Sequence, residues 1–340
     1  MADENIVAAG GGWPVLREAG VSTQVETGLW RLTGRAAELE TFDAAWGTKS
    51  CRGFLIVGEA GVGKTRLAEE CLAHAVKAGW QARRATASAA AAAVPLGAIA
   101  HLIPPGVDLS DPVKAFTDTA AQLSGAKRQR WAFLVDDLHL LDAASVVLLR
   151  QLMDAGIARV IATVRTGEPT NEAVTALSHD DTVRWLELDV LDQKQVERLL
   201  RVALGASVEQ RSLHDLYKAS GGNVLYLREL VLGALARGAL TSDGEIWRLS
   251  TDRPVGTPRL AELVGVRLAA AAAEDKPVLE LLALTEPLPL ADAQQVAPTD
   301  VLADLESAGL IRTFQDRRRT TVALAHPLYG EVLRAGMVPM

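Results

Sequence analysis

The stretch that decides the fold reads GFLIVGEAGVGKTRLAEECLAHAV and runs from residue 53 to residue 76. It opens with the short apolar run of a buried strand, and the apolar spacing after Lys64 predicts a helix. Between the two, the phosphate-loop pattern G-x-x-x-x-G-K-[ST] is met at Gly58, Gly63, Lys64 and Thr65. The positive end of the helix points at a phosphate held by such a loop. We expect Lys64 to reach the β- and γ-phosphates and the Thr65 hydroxyl to bind Mg²⁺.

The loop and the start of its helix form the expected nucleotide site. Glycines leave the backbone N–H groups accessible, so the loop can wrap phosphate oxygens closely. The plain alternative is a glycine-rich turn that carries a lysine by chance. We prefer the phosphate loop because it lies between a buried strand and a helix. The nucleotide-binding residues expected here are Glu59, Ala60, Gly61, Val62, Gly63, Lys64, Thr65 and Arg66.

Two acidic residues end a fully buried strand further along, within FLVDDLHLLD at residues 133–142. In a parallel sheet, the carboxyl ends of the strands line the ligand crevice. We expect Asp136 to bind Mg²⁺, directly or through water, and Asp137 to orient the attacking water. Aspartate is shorter than glutamate, so we expect slow hydrolysis. The alternative is that the two acids cap the following helix, a role that suits Asp142 better.

A cation ends another buried strand, VIATVR at residues 160–165. We expect Arg165 to sense the γ-phosphate; the alternative is a solvated arginine where the strand leaves the sheet. Lys64, Asp137 and Arg165 are therefore the expected catalytic residues. The sequence has no Asn-Lys-x-Asp stretch for guanine recognition, so we expect ATP rather than GTP.

The hydrophobic pattern divides the chain into a sheet-forming part and a helical part. Between about residues 30 and 190, buried strands alternate with helices, which predicts an α/β P-loop fold, a parallel sheet with helices on both faces. Afterwards the pattern is helical, with a small hairpin at 239–249. It ends as strand, turn, strand and helix, which predicts a winged-helix domain. The expected units are a leader at 1–28, a P-loop nucleotide-binding domain at 29–190, a helical domain at 191–255 and a winged-helix domain at 256–340.

The composition limits the classes of protein to which the chain can belong. Its 35 basic and 42 acidic residues give a net charge of −7, which argues against non-specific nucleic-acid binding. Cys51 and Cys71 give neither a disulfide framework nor a metal-site spacing, which favours core residues in a reducing compartment. No apolar run approaches the ~18 residues of a membrane span. The N-terminal residues do not resemble a signal peptide, so we expect a cytoplasmic protein without a membrane partner.

Three kinds of function fit these features. The first is a nucleotide-dependent regulatory switch with weak ATPase activity. The second is a winged-helix DNA-binding ATPase of initiator-like type, in which the basic triplet Arg317, Arg318 and Arg319 at the expected wing tip contacts the DNA backbone. A solvated hairpin turn is the simpler interpretation of that triplet. The third is a P-loop enzyme that phosphorylates a small molecule, a class that is usually shorter and lacks the helical region seen here.

The chain contains, in this order, LTGRAAEL, GEAGVGKTR, VDDLHLLD, ATVRTGE, GGNVLYLREL and LAHPLYGEVLRA, which together extend over roughly residues 30–336. This series resembles the STAND class of signal-transduction ATPases, and more narrowly the ATPase region of the large ATP-binding LuxR-type transcriptional regulators. The resemblance implies a nucleotide-binding, a helical and a winged-helix domain that close over the nucleotide. It also implies that ADP holds a closed resting form, and that ATP permits an open form that self-associates.

The resemblance implies roles for single residues. Arg165 matches the sensor arginine, and His326 matches the winged-helix histidine that contacts the β-phosphate of ADP in the resting form. The alternative for His326 is a helix-start residue before Pro327 that contacts no ligand. Val224 stands where related ATPases often have a proline on the base, so its backbone is less restrained. The residues expected around adenine are Leu32, Thr33, Gly34, Arg35, Val224 and Leu225.

The resemblance also bears on cofactors and partners. ATP or ADP and Mg²⁺ are the expected cofactors. Regulators of this kind continue into a helical-repeat sensor and a helix-turn-helix DNA-binding domain, neither of which this sequence contains. We therefore expect a fragment of such a regulator rather than a stand-alone ATPase module, with DNA contacted only through the domains absent from this chain.

Overall fold

The computed structural model describes residues 30–108, 111–125, 129–168, 170, 172–178, 180–250, 257–269, 271–272, 275–316 and 319–337. The leader expected at 1–28 lies outside the described residues, and so do Arg317 and Arg318 of the basic triplet. Among the described residues, no helix has the length and apolar character needed to cross a membrane.

A five-stranded parallel sheet forms the first part of the chain, as predicted. Its strands are β1 (Gly53–Gly58), β2 (Gln81–Thr86), β3 (Trp131–Asp136), β4 (Ala158–Arg165) and β5 (Val183–Glu187). They lie in the order β2-β3-β4-β1-β5. The strand before the phosphate loop, β1, therefore pairs with β4 on one side and β5 on the other. This order brings the carboxyl ends of β1, β3 and β4 to one edge of the sheet.

Helices cover both faces of this sheet, which confirms the predicted layers. They are α1 (Ala36–Trp46), α2 (Lys64–Lys77), α3 (Ala89–Ala92), α4 (Pro112–Ser124), α5 (Ala143–Asp154) and α6 (Glu172–Ser178). On one face, α1 and α2 bury Phe42, Leu67 and Cys71 against the strands. On the other face, α4, α5 and α6 pack against a second apolar cluster. Both cysteines are buried and free, as expected for core residues.

Three of these helices, α3, α4 and α6, are not predicted by the apolar pattern of the sequence. The side chain of Asp111 caps α4, and Pro112 fits its first turn, but the run Val-Lys-Ala-Phe-Thr-Asp-Thr has weak apolar periodicity. The short helix α6 offers too few turns for a period to show. A 3₁₀ helix at Gly97–Leu102 precedes α4.

The chain after the sheet begins with a helical segment and a small sheet. Its elements are α7 (Gln193–Leu204), β6 (Ser207–Val208), α8 (Gln210–Ser220), α9 (Val224–Ala236), β7 (Leu240–Ser242) and β8 (Ile246–Leu249). Asp192 and Gln195 form a capping box at the start of α7. The strands β7 and β8 form the predicted hairpin. Gly221 and Gly222 both have positive φ and separate α8 from α9.

The last part of the chain combines helices with a three-stranded sheet in the order β10-β11-β9. Its elements are α10 (Pro258–Leu268), α11 (Lys276–Thr285), β9 (Leu288–Pro289), α12 (Leu290–Ala293), α13 (Thr299–Ser307), β10 (Ile311–Asp316), β11 (Arg319–Leu324) and α14 (Pro327–Gly336). The two predicted strands and the helix after them are present as the antiparallel pair β10 and β11 and as α14, whereas the predicted turn at 317–318 lies outside the described residues. The assignment of these elements to a winged-helix domain stays a prediction.

The two units expected after residue 190 share one hydrophobic core. Leu199 and Leu230 of the first unit belong to the same buried cluster as Leu282, Val322 and Leu328 of the second. A close-packed apolar core resists separation, because opening it exposes apolar surface to water. The elements from α7 to α14 therefore pack as one body.

Candidate nucleotide-binding site

The phosphate loop connects β1 to α2 through two glycines with positive φ, Gly61 and Gly63. A side chain at Gly61 would also collide with its neighbours, since a Cβ there would lie 2.5 Å from the Asn223 Oδ1. Gly63 caps α2 in the left-handed conformation, which is accessible to glycine without steric cost. The loop thus needs glycine at both positions for backbone reasons alone.

Lys64 folds back over this loop. Its side chain is buried, and its Nζ donates hydrogen bonds to the carbonyls of Gly58 at 2.8 Å and Glu59 at 2.7 Å. Burial, and then the nearby charge of Arg165, lower the pKa of Lys64 to about 8. The ammonium group remains charged at neutral pH and lies where loop backbone and phosphate would meet.

Thr65 and Asp136, the two residues expected to bind Mg²⁺, lie side by side. The Thr65 hydroxyl donates to the Asp136 Oδ1 at 3.0 Å, and the Thr163 hydroxyl donates to the same oxygen at 2.6 Å. Arg84 approaches the other carboxylate oxygen at 3.8 Å. One hydroxyl and one carboxylate fit Mg²⁺, which takes few protein ligands and completes its shell with phosphate and water. Among the described residues there is no cluster of three or more His, Cys, Asp or Glu that would hold a metal without a nucleotide.

Asp137 and Arg165, both expected to be catalytic, form a salt bridge with each other. The Nε and one terminal nitrogen of Arg165 donate to the two carboxylate oxygens of Asp137, at 3.1 and 3.0 Å. Asp137 has a φ of +55°, and its N–H donates to the Thr163 hydroxyl at 2.9 Å. The structure therefore brings both residues to the loop edge of the sheet, but as partners of each other.

His139 was not among the expected site residues. Its side chain is buried, and among the described residues no partner lies within hydrogen-bond reach of its Nδ1. Burial lowers its pKa, and the charges of Asp137, Arg165 and Lys64 all act on the ring. His139 is thus a neutral, partly unpaired imidazole near Asp137 and Arg165.

A first cleft adjoins the loop where adenine was expected. It has a volume of about 50 Å³. Arg35 is buried at its wall, where one guanidinium nitrogen donates to the carbonyls of Val62 and Asp189. Gly34 is held nearby by the side chain of Gln195. The lining residues are Trp30, Arg31, Leu32, Thr33, Arg35, Val62, Gly63, Arg66, Leu191, Leu199 and Val224.

A second and larger cleft, of about 560 Å³, begins at the opposite end of the loop. Ala60, Arg165 and Leu225 line it together with residues of α10. Leu225, expected at the adenine, therefore lines a different cleft from Val224. Its N–H donates to the Gly61 carbonyl at 3.1 Å.

Asn223 connects the loop to the start of α9, and the sequence analysis did not single it out. Its Nδ2 donates to the Ala60 carbonyl at 2.8 Å. Its Oδ1 accepts from the N–H groups of Leu225 and Tyr226 and so caps the helix. An Asn immediately before a helix signals a cap, but nothing in the local pattern indicates that its other end contacts a loop 163 residues away.

His326 lies at the start of α14 and contacts the same junction. Its Nε2 lies 2.7 Å from the Ser220 carbonyl, which also accepts the N–H of Asn223 at 3.0 Å. Its Nδ1 accepts the N–H of Leu328, so the ring is neutral with its proton on Nε2. The ring packs edge-on against Tyr226, and burial lowers its pKa to about 4.

In this conformation both ring nitrogens of His326 are bonded to protein groups. Its contact with a β-phosphate stays a prediction. The structure connects His326 to the phosphate loop indirectly, by way of Ser220 and Asn223.

Part of the chain resembles a known family of domains. Residues 31–162 match the family model described as AAA ATPase domain. This stretch contains the phosphate loop and most of the parallel sheet, and it is similar to AAA ATPase domains. No curated protein matches the chain.

Several solved structures resemble the chain at low sequence identity. The Aeropyrum pernix ORC1 protein in complex with DNA has 15% identity and a TM-score of 0.49, over 93% of this chain and 97% of that chain. A variant of Thermotoga maritima RuvB has 17% identity and a TM-score of 0.45, over 89% and 94%. Domain III of the Thermotoga maritima replication initiation protein DnaA has 16% identity and a TM-score of 0.42, over 60% and 84%. At these values the likeness assigns no ligand or partner to this chain.

Proposed function

We propose that this chain is an ATP/ADP-dependent regulatory switch with weak ATPase activity, the nucleotide-binding module of a LuxR-type transcriptional regulator of the STAND class. One observation carries the proposal: a hydrogen-bond path runs from the phosphate loop at Ala60 through Asn223 and the Ser220 carbonyl to His326. A phosphate loop alone binds a nucleotide. A switch also needs a contact that depends on which nucleotide is bound and that reaches a second body.

The path begins on the peptide groups that a phosphate would contact. The Ala60 carbonyl accepts from Asn223, and the Gly61 carbonyl accepts from the N–H of Leu225. Each carbonyl lies in the same rigid peptide plane as the N–H of the following residue. A phosphate that turns those N–H groups therefore turns the carbonyls too, and strains or relieves the contact with α9.

The hydrogen-bond path ends at His326, in the packed unit from α7 to α14. We propose that it comprises the helical domain at 191–255 and the winged-helix domain at 256–340, and that the P-loop domain is residues 29–190. Because the helical and winged-helix domains share one core, they would move together relative to the sheet. His326 holds the resting form through Ser220, and ADP is the nucleotide that leaves this contact undisturbed.

Hydrolysis in such a site is slow. When bound, Mg²⁺ neutralises phosphate charge beside Thr65 and Asp136. Asp137, the candidate for orienting the attacking water, is engaged by Arg165. A carboxylate whose two oxygens accept from a guanidinium is a poor base until that contact opens.

Nucleotide content and shape together test the proposal. The nucleotide released from the purified, denatured 340-residue chain is identified by chromatography, and ADP is expected. Small-angle scattering and light scattering are then recorded with Mg²⁺ and either ADP or an ATP analogue with a non-hydrolysable β–γ bond. We expect a compact monomer with ADP and an extended or self-associated form with the analogue. Equal radius and equal mass in both states would contradict a switch.

Two further measurements separate the alternatives. Nanomolar, steeply salt-dependent DNA binding by this chain would favour an initiator-like ATPase. ATP turnover that is fast only after a metabolite is added would favour a small-molecule kinase.

A further inference from the structure

The salt bridge between Asp137 and Arg165 stands beside the phosphate loop, at the carboxyl ends of β3 and β4. Arg165 and Ala60 line the same cleft, and Arg165 lies opposite Gly58, the first residue of the loop, in the pairing of β4 with β1. Arg165 is thus a cation next to the start of the phosphate loop. Yet its Nε and one terminal nitrogen are already used by Asp137.

Asp137 and Arg165 differ in how freely their side chains can move. The backbone of Asp137 is held in the left-handed region at φ +55°, and its N–H is bonded to the buried Thr163. The Arg165 side chain is 41% exposed, against 20% for Asp137. Arginine also has more side-chain torsions than aspartate. When the pair opens, Arg165 is therefore the part that moves.

We propose that Asp137 is a specificity-determining residue that biases this site toward the nucleoside diphosphate by holding Arg165 away from the γ-phosphate position. A diphosphate leaves the pair intact. To bind, a triphosphate must draw the Arg165 guanidinium from the Asp137 carboxylate to the γ-phosphate. That exchange costs part of the binding energy of the triphosphate. The same exchange frees the Asp137 carboxylate to accept a proton from water, so discrimination and slow hydrolysis have one cause.

This inference rests on the proposed nucleotide-binding function, and it predicts how much the pair changes the ratio of the two nucleotide affinities. Charge-assisted bidentate pairs are the strong ones among side-chain contacts. Exchange of one such partner for another is expected to change the ratio of the two nucleotide affinities by about tenfold.

The test uses Asp137→Asn, because asparagine tolerates the left-handed backbone and keeps the shape of the side chain without its charge. Dissociation constants for ADP and for the non-hydrolysable ATP analogue are measured with Mg²⁺ by calorimetry on the full chain. We expect the analogue to bind about tenfold more tightly to Asp137→Asn than to the wild type, with ADP affinity changed by less than about twofold. Asp243→Asn is the matched control, since Asp243 forms an aspartate–arginine pair with Arg248 on the hairpin of β7 and β8.

The double variant Asp137→Asn/Arg165→Gln shows whether Asp137 acts through Arg165. If it does, the double variant binds the analogue no better than Arg165→Gln alone. A gain that persists in the double variant would mean that Asp137 merely repels phosphate, and an unchanged affinity ratio in Asp137→Asn would mean that the pair does not discriminate. Either result overturns the inference while leaving nucleotide binding in place. Failure of the wild type to bind either nucleotide would overturn the proposed function itself.

Discussion

Two regions of the molecule each hold a basic side chain whose pKa is lowered by burial: the phosphate-loop corner around Lys64 and the His326 corner at the start of α14. The resulting charge of the side chain differs between them. The pKa of Lys64 falls to about 8, so its ammonium group stays charged at neutral pH. The pKa of His326 falls to about 4, so its ring is neutral. Lys64 donates to two backbone carbonyls of the phosphate loop, whereas both nitrogens of His326 are bonded to groups outside the loop. The first corner is built to receive an anion, and the second to hold two parts of the protein together.

The largest expected effect comes from removing the Lys64 side chain from the phosphate-loop corner. Lys64→Ala removes the buried cation, and ADP should no longer raise the melting temperature of the protein. In the wild type, ligand at ~100 times its dissociation constant contributes about 2.7 kcal/mol to the free energy of unfolding. Lys77→Ala, at the exposed end of the same helix, is the control and should keep the full shift. If ADP still shifts the melting of Lys64→Ala as in the wild type, Lys64 does not bind phosphate.

A second prediction uses pH to separate the corners. The pKa of His326 is lower in the folded protein, so the unfolded chain takes up the proton first as pH falls below its ordinary value of 6.5. The free energy of unfolding then falls with pH until the folded ring also titrates near pH 4. From pH 7 to pH 5 this residue should account for a loss of about 2 kcal/mol.

The measurement compares urea unfolding of the wild type and His326→Asn at the two pH values. Asparagine can still cap α14, but it does not titrate, so the loss between the two pH values should shrink by about 2 kcal/mol. Identical pH dependence in the wild type and His326→Asn would show that the ring is not held neutral by burial.

A smaller effect is expected from a substitution that touches His326 only through its neighbour. A Cβ at Gly221 would lie 2.9 Å from the His326 Nε2, so Gly221→Ala should push the ring off the Ser220 carbonyl. Gly238→Ala is a matched control, because Gly238 also has positive φ but no atom within 4 Å of the added Cβ. Both should lose about 1–2 kcal/mol of stability from backbone strain. Only Gly221→Ala should also release ADP faster, by a few-fold in stopped-flow kinetics. Equal release rates from the two variants would show that His326 does not influence the phosphate loop.

The two corners also differ in how far the sequence predicts them. Gly58, Gly63, Lys64 and Thr65 are close along the chain, and their spacing alone predicts the loop. Asp136 follows from the apolar strand before it. The strand order that inserts β4 between β1 and β3, and so places Thr163 against Asp136, is a tertiary result that no local pattern contains.

The His326 corner is a product of packing. His326 and Ser220 are 106 residues apart, and the histidine was expected near the nucleotide only because of a family resemblance. Asn223 looks like an ordinary helix cap in sequence, because a cap needs only its Oδ1. The contact of its Nδ2 with Ala60 exists only once α9 has docked against the loop. Periodicity therefore predicts the elements, whereas the links between them depend on the folded core.

The rate of ADP release from four proteins tests most directly whether the two corners are connected: the wild type, His326→Asn, Asn223→Ser and the double variant. Serine keeps the cap of α9 but loses the Nδ2 donor to Ala60. Rates are followed by displacing a fluorescent ADP analogue in a stopped-flow instrument. If the path through Ser220 holds the resting form, each single variant releases ADP about tenfold faster and the double variant no faster than the singles, as expected for two links of one chain. Release from His326→Asn at the wild-type rate, or a double variant whose acceleration is the product of the two singles, would contradict the account.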